Sequence, residues 1–266
     1  MAPLKLAALG SSFAAGPLIE PIIDASAMRS GRNYPHQLAE RLDATLTDLT
    51  SSGATLLEVL KDPQATFAGE VVPPQVDRLP DDIDLITLTG GGNDLGYSKA
   101  MLFDSMFSFL GPLRALPWTI LDDPKTGLTI DELTDRFLAV LDALHAKCPR
   151  AHIYLVQYLS IFGEESKPGP GLPLSWEQIG DYRRLGVLLD RAYEQAAAAR
   201  QGFVTLVPVA ELSQGHEVGA VEPWIDGFTW RNRMIQFHPN AAGHTAVAQL
   251  ILELVRQSGE LDVKVR

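Results

Sequence analysis

The sequence is poor in cysteine and in basic residues. Among its 266 residues Cys148 is the one cysteine, so no intramolecular disulfide is possible. A lone cysteine without a paired histidine motif is typical of a small buried hydrophobe, and we expect no catalytic role for it. Acidic residues outnumber basic ones by 33 to 22, and the formal net charge is -11. Such a surface repels phosphate backbones and anionic lipid headgroups, which argues against nucleic-acid and membrane-surface partners.

Long apolar runs and internal repeats are also missing. No stretch approaches the roughly 18 apolar residues of a membrane span, so we predict none. Residues 1–10 contain one lysine and a short apolar run typical of a strand, and no secretory signal. We therefore expect a cytoplasmic protein, unless the sequence begins after a removed leader. The composition, 46% hydrophobic and 21% charged, together with the length, predicts one globular domain over residues 1–266.

Apolar runs alternate with amphipathic ones along the chain. Strand patterns occur at residues 4–9, 44–49, 84–89, 151–156 and 203–209, and helix patterns at residues 35–42, 129–146, 176–200 and 240–257. Strands separated by helices imply a parallel sheet covered on both faces. We predict an α/β fold, a three-layer α/β/α sandwich around a parallel sheet of about five strands. In such sheets, sites lie beyond the carboxyl ends of the strands.

Two stretches break this alternation. Residues 95–127 are too long for an ordinary loop, and they form either a lid or pocket wall around an apolar substrate or an excursion that completes the core. Residues 211–237 are a second candidate pocket wall. Their aromatic side chains are candidate substrate contacts: Phe103, Phe107 and Trp118 in the first stretch, and Trp224 and Trp230 in the second.

The first segment with candidate catalytic residues is 10–16 (GSSFAAG), directly after the first predicted strand. A serine at a strand-to-helix turn places its hydroxyl at the carboxyl edge of the sheet. A backbone N–H at the same turn can face a developing oxyanion. Ser12 is therefore a candidate nucleophile, and the alternative for this segment is a plain helix cap.

Two further segments follow the second and third predicted strands. In residues 51–55 (SSGAT), the backbone N–H of Gly53 can approach a substrate carbonyl, although the segment also fits a plain turn. In residues 90–94 (GGGND), the Asn93 amide is a donor that can complete an oxyanion hole. A dinucleotide-binding loop is rejected because the glycine pattern fails at Leu95. We expect Asp94 to orient this loop.

The fourth segment is residues 237–244 (FHPNAAGH), at the start of the last predicted helix. His238 precedes a proline, which favours an extended backbone that can aim the imidazole at a neighbouring turn. It is the best-placed general base in the chain. The spacing to His244 does not match a metal-binding pair, so we predict a structural His244 and no metal site. No cofactor is implied.

Together the four segments resemble the SGNH/GDSL hydrolase family, whose blocks carry serine, glycine, asparagine and histidine in this order. Ser12 in GSS corresponds to the nucleophile, Gly53 in SGAT to the glycine, Asn93 in GGND to the asparagine, and His238 to the histidine. Residues 29–35 (RSGRNYP) and 224–228 (WIDGF) also look like segments of secreted actinobacterial lipases and esterases of this family, which usually carry disulfides. The resemblance implies a flavodoxin-like fold and a lipase- or esterase-like serine hydrolase that cleaves a small-molecule carboxylic ester through an acyl-enzyme intermediate.

The sequence departs from the family pattern at two positions. Ser11 replaces the aspartate of GDS, which is not the nucleophile. Ile235 stands three residues before His238, where the family usually has the third triad member, an aspartate. Two groups remain open as the partner of the imidazole Nδ1: the backbone carbonyl of Ile235 and the carboxylate of Asp226.

Other functions use the same residues. A transacylase would pass the acyl group to an alcohol instead of water, and a catalytically silent binding module would keep the fold alone. The apolar residues 95–127 favour a medium or long acyl chain or an aromatic ester, with short acetyl esters as the alternative. Because a free histidine titrates near pH 6.5, we expect activity to fall below about pH 6–7. The sequence carries no signal for an oligomeric state.

Overall fold

The structure, a computed structural model, describes residues 3–107, 128–232 and 235–258. Its strands are β1 (Lys5–Gly10), β2 (Ile22–Asp24), β3 (Arg29–Ser30), β4 (Thr45–Asp48), β5 (Gln64–Ala65), β6 (Val71–Val72), β7 (Leu85–Thr89), β8 (His152–Val156) and β9 (Val204–Val207). Its helices are α1 (Ser12–Ala15), α2 (Tyr34–Leu42), α3 (Leu56–Leu60), α4 (Gln75–Arg78), α5 (Tyr97–Phe107), α6 (Ile130–Lys147), α7 (Trp176–Ala199), α8 (Val209–Leu212) and α9 (Ala241–Ser258).

Five parallel strands form the central sheet, in the order β4-β1-β7-β8-β9. Every residue of β7 is buried, as an apolar central strand requires. Helices flank the sheet, with α2 packed on α9 and α6 packed on α7. The predicted sandwich is therefore confirmed. After β1 the chain goes first to β4 on one side and later to β7 on the other, and ligand sites of open α/β sheets lie at such a reversal.

Local sequence signals explain where the main helices begin and which face they bury. Thr129 caps α6 in a capping box with Glu132, and Asn33 caps α2 by accepting from the His36 N–H. The face of α6 toward the core carries apolar side chains at helical spacing, all of them fully buried: Leu133, Phe137, Val140, Leu141 and Leu144.

The structure also contains elements that periodicity did not predict. Two small antiparallel hairpins, β2–β3 and β5–β6, lie outside the central sheet. Helix α5 occupies the first part of the long segment 95–127, whereas residues 108–127, with Trp118, lie outside the described residues. Within residues 3–107, 128–232 and 235–258, no helix combines the length and the apolar character needed to cross a bilayer.

Candidate active site

Ser12 lies at a tight turn between β1 and α1. Gly10 ends β1 with a φ of 131°, and a Cβ atom at this position would lie 1.9 Å from the Thr89 carbonyl oxygen. Only glycine has both the conformational freedom and the small size for this backbone. Ser11 occupies the N-cap position without a side-chain capping hydrogen bond, and Ser12 is the first residue of the helical turn, with 4% of its surface exposed. The turn thus presents Ser12 at the carboxyl edge of the sheet.

Gln75, which the sequence analysis missed, holds this turn from α4. Its Oε1 accepts from the Gly10 N–H at 2.7 Å, and its Nε2 donates to the Gly10 carbonyl at 2.9 Å. The side chain is only 1% exposed, so both hydrogen bonds form away from water. The two residues are 65 positions apart, and no local pattern marks the contact.

Tyr158 supports the same turn from beyond β8. Its hydroxyl lies 2.7 Å from the Ser11 Oγ, and its ring stacks on Phe13 at a centroid distance of 3.9 Å. Burial raises the pKa of Tyr158, so its hydroxyl stays protonated and remains a hydrogen-bond donor. Ser11, in the place of the family aspartate, therefore has a defined hydrogen-bonding partner.

The structure brings His238 and Ser12 together. The His238 Nε2 lies 2.8 Å from the Ser12 Oγ, and its Nδ1 lies 2.8 Å from the Gln236 carbonyl oxygen. A carbonyl can only accept, so Nδ1 must carry the proton and donate it. In the neutral ring Nε2 is then an acceptor, as a base facing the serine hydroxyl requires.

A backbone carbonyl, rather than the Asp226 carboxylate, orients the imidazole. The hydrogen-bonded carbonyl belongs to Gln236, one residue after the expected Ile235, and the next residue, Phe237, adopts a positive φ of 58°. The Ile235 carbonyl is a second backbone oxygen acting on the ring. The Asp226 carboxylate instead accepts from the Asn240 Nδ2 at 3.4 Å.

The environment of His238 changes its titration. Burial lowers the pKa of the ring from 6.5 to about 4, and the carbonyls of Gln236 and Ile235 partly oppose this by stabilising the protonated form. The imidazole is therefore neutral at pH 7 and available as a base. The sequence predicts a loss of activity below about pH 6–7 because a free histidine titrates near pH 6.5. Burial of His238 moves the expected loss to lower pH.

The loop that carries Gly53 is hydrogen-bonded both to the serine turn and to Asn93. The Ser51 N–H donates to the Gly10 carbonyl at 3.0 Å, and the Asn93 Nδ2 donates to the Ala54 carbonyl at 2.9 Å. Within the described part of the chain, the backbone N–H groups of Ser12 and Gly53 donate to no protein acceptor. The serine turn and the loops of Gly53 and Asn93 are thus joined to one another, and two backbone N–H groups in them remain available to a ligand. An oxyanion hole needs such available donors.

Asp94 orients the Asn93 loop, as expected. Its Oδ2 accepts from the Leu56 N–H at 2.9 Å, and its Oδ1 accepts from Arg136 at 2.8 Å. Burial raises the pKa of this carboxyl, while the hydrogen bonds and the charge of Arg136 act in the opposite direction. The loop is therefore anchored to both α3 and α6.

The predicted substrate contacts are spread over the molecule. Trp224 stacks on His216 at a centroid distance of 3.8 Å, and Trp230 packs edge-on against Phe228 with 63% of its surface exposed. Phe103 is half-buried on α5. The side chain of Phe107, like Trp118, lies outside the described residues. The role of these aromatics in substrate binding stays a prediction.

A cavity of about 780 Å³ lies beyond the carboxyl ends of β8 and β9. Its wall includes Tyr97, Tyr158 and Phe162 together with the carboxylates of Asp190 and Glu217. Burial, with a smaller contribution from the charge of Glu194, raises the pKa of Asp190 to about 7. Through Tyr158, this cavity borders the turn that carries Ser12.

The model of the GDSL-like lipase/acylhydrolase family matches residues 8–246. The chain belongs to this family. It is accordingly a hydrolase of the lipase and esterase type, and the resemblance found in the four sequence segments is confirmed. Lipase 2 of Streptomyces coelicolor is 28% identical over 264 residues, which cover 95% of this chain and 86% of that protein.

Solved structures of lipolytic enzymes share the fold. Phospholipase A1 from Streptomyces albidoflavus superimposes with a TM-score of 0.72 at 19% identity, covering 95% of this chain and 99% of the other. An extracellular lipase from Streptomyces rimosus gives a TM-score of 0.63 at 21% identity, covering 94% and 99%. These similarities extend along nearly the whole chain, so the three proteins share the fold.

Proposed function

We propose that this family member hydrolyses small-molecule carboxylic esters through an acyl-enzyme intermediate, with Ser12 as nucleophile and His238 as general base. The contact of 2.8 Å between Ser12 Oγ and His238 Nε2 carries the proposal. The tautomer set by the Gln236 carbonyl leaves Nε2 free to accept a proton, and the lowered pKa keeps the ring neutral at pH 7.

Two half-reactions follow from this geometry. His238 takes the proton of Ser12 while Oγ attacks the ester carbonyl, and the imidazolium then protonates the departing alcohol. Water next attacks the acyl-serine with His238 again as base, and collapse releases the acid and restores the Ser12 hydroxyl. The Gln236 carbonyl stabilises the transient imidazolium by accepting from Nδ1.

The oxyanion of each tetrahedral intermediate needs several donors. We assign this role to the backbone N–H groups of Ser12 and Gly53 and to the second amide hydrogen of Asn93, whose first is held by Ala54. Removal of one such donor typically costs roughly 10²–10³ in turnover. The lipase and phospholipase names of the relatives support an ester substrate with an acyl chain.

The nucleophile is tested by labelling with a fluorophosphonate probe. The wild-type protein is expected to be labelled on Ser12 and to hydrolyse p-nitrophenyl esters, whereas Ser12→Ala should lose both the label and at least about 10³ of the turnover, as for triad serines. Ser11→Ala is the matched control, because the neighbouring hydroxyl faces Tyr158, and it should keep the label on Ser12.

The same assay separates the alternatives. A folded wild-type protein that neither reacts with the probe nor cleaves any ester would be a binding module. A labelled enzyme that forms a new ester in the presence of added alcohol, faster than it forms free acid, would be a transacylase. Mass spectrometry of the labelled peptide and product analysis provide the two measurements.

A further inference from the structure

The β5–β6 hairpin lies directly beside the loop that carries Gly53. Gln64 in β5 is 3% exposed, and its Nε2 donates to the Ser52 carbonyl at 2.9 Å. Ser26 bonds to the other end of the hairpin, with its Oγ 2.8 Å from the Thr66 Oγ1 and 2.7 Å from the Glu70 Oε2. The hairpin is therefore fixed on both sides, and its turn is held in a defined position.

Phe67 occupies the turn of this hairpin and borders Gly53. Its side chain is 64% exposed, although it is a large apolar ring. A Cβ atom placed on Gly53 would lie 3.5 Å from the Phe67 Cε2 and 3.9 Å from its Cζ, which is van der Waals contact. Gly53 itself has a φ of 85°, a conformation that L side chains rarely adopt. An open aromatic face thus lies next to a proposed oxyanion donor.

The sheet order decides which half of an ester lies near Phe67. The Gly53 loop follows β4, on one side of β1. The His238 loop packs toward the other side of β1. Phe237 contacts Phe162, which follows β8. The ring of His238 contacts Phe13, and Phe13 stacks on Tyr158, which also follows β8. His238 must protonate the departing alcohol, so the alcohol lies on the β8 side. The acyl chain then extends toward the β4 side.

From this placement we propose that Phe67 forms the apolar wall of the acyl-chain site, so that the enzyme prefers esters of medium-length apolar acids over acetyl esters. The proposal rests on the Ser12 and His238 mechanism above. The ring gives apolar contact to the methylene groups beyond the carbonyl carbon. An acetyl group has no methylene groups with which to make this contact.

The test compares kcat/KM for p-nitrophenyl acetate and p-nitrophenyl octanoate. Phe67→Ala should lose roughly tenfold on the octanoate and less than about twofold on the acetate, the scale of lost apolar contacts in a specificity pocket. Phe67→Leu should retain most of the octanoate activity because it restores apolar area. The matched control is Val71→Ala, which truncates another exposed apolar side chain on the same hairpin (Val71 is 70% exposed). It should change kcat/KM for neither ester.

Other outcomes overturn the proposal in distinguishable ways. An equal loss on both esters, or no loss on either, would remove Phe67 from the acyl site while leaving Ser12 labelling intact. A loss that follows the size of the alcohol with the acetyl group fixed would assign Phe67 to the leaving-group side. A wild-type protein without labelling and without ester cleavage overturns both this inference and the proposed function. Thermal melting confirms that each variant is folded.

Discussion

Among individual side chains, His238 differs from a free histidine in both its tautomer and its acidity. The Gln236 carbonyl at 2.8 Å fixes the proton on Nδ1, and burial lowers the pKa of the ring to about 4. A carboxylate partner would have favoured the protonated ring and raised this pKa. A neutral carbonyl partner therefore leaves the imidazole unprotonated in mildly acidic solution.

The acid side of the pH–rate profile should report this difference. We expect kcat/KM on a p-nitrophenyl ester to remain near its neutral value down to about pH 6 and to fall between about pH 6 and pH 4, because protonation of His238 would remove the proposed base. The midpoint should lie within this interval. Enzyme held at each pH and assayed again at pH 7 controls for unfolding. A midpoint at or above pH 6.5 would contradict the lowered pKa.

The residues with family signatures were identifiable from the sequence, and their supports were not. Ser12, Gly53, Asn93 and His238 stand in motifs whose order is readable. Gln75 is not, because its partner Gly10 is 65 positions away and glutamine has no local pattern of its own. The sequence left the partner of Nδ1 open between the Ile235 carbonyl and Asp226. The structure adds the Gln236 carbonyl at 2.8 Å, next to Phe237, whose positive φ is an uncommon conformation for an aromatic residue and has no sequence signal.

Among the strands, β1 ends on a glycine whose backbone and surroundings leave no room for a side chain. An alanine Cβ at Gly10 would lie 1.9 Å from the Thr89 carbonyl oxygen, at a φ of 131° that alanine rarely adopts. We expect Gly10→Ala to lower the free energy of unfolding by more than about 3 kcal/mol, because β1 must separate from β7 to admit the methyl group.

Urea denaturation followed by circular dichroism measures this loss. Gly202→Ala is the control, since a Cβ there meets no atom within 4 Å and the backbone φ is not positive. It should change the free energy of unfolding by less than about 1 kcal/mol. Similar values for the two variants would show that the β1–β7 contact can relax around the added methyl group.

The long elements were predicted within a few residues because α6 buries one periodic apolar face and β7 is a largely apolar run that is buried throughout. The predicted strand at residues 84–89 corresponds to β7 (Leu85–Thr89), and the predicted helix at residues 129–146 to α6 (Ile130–Lys147). The β5–β6 hairpin was missed because strands of two residues are too short to show alternation. The surface that we assign to the acyl chain therefore depends on an element that only the structure reveals.

For the entire fold, a second buried histidine links stability to pH. His244 in α9 is 1% exposed, and its Nδ1 accepts from the Tyr34 N–H at 3.0 Å, which joins α9 to the start of α2. Burial lowers its pKa from 6.5 to about 3. Between pH 6.5 and about pH 3 His244 binds a proton in the unfolded chain but not in the folded chain. The free energy of unfolding therefore decreases as the pH falls below 6.5.

His244→Asn isolates this contribution, because the Asn oxygen can still accept from Tyr34 without titrating. The difference in unfolding free energy between wild type and variant should shift by roughly 2–3 kcal/mol, to the disadvantage of the wild type, from pH 6.5 to pH 4.5. Urea titrations at both pH values give this difference. Asp190, whose pKa is raised to about 7, acts in the opposite direction in both proteins and cancels. A pH-independent difference would show that His244 titrates normally.

Ser12 and His238 are separated by 226 positions, one just after the first strand and the other just before the last helix. His238 directly precedes α9, which packs on α2, so we expect any opening that releases α9 to separate the proposed base from the proposed nucleophile while most of the sheet stays intact. Loss of turnover should therefore precede loss of secondary structure during denaturation. Turnover then reports whether the two distant parts of the chain are still in contact.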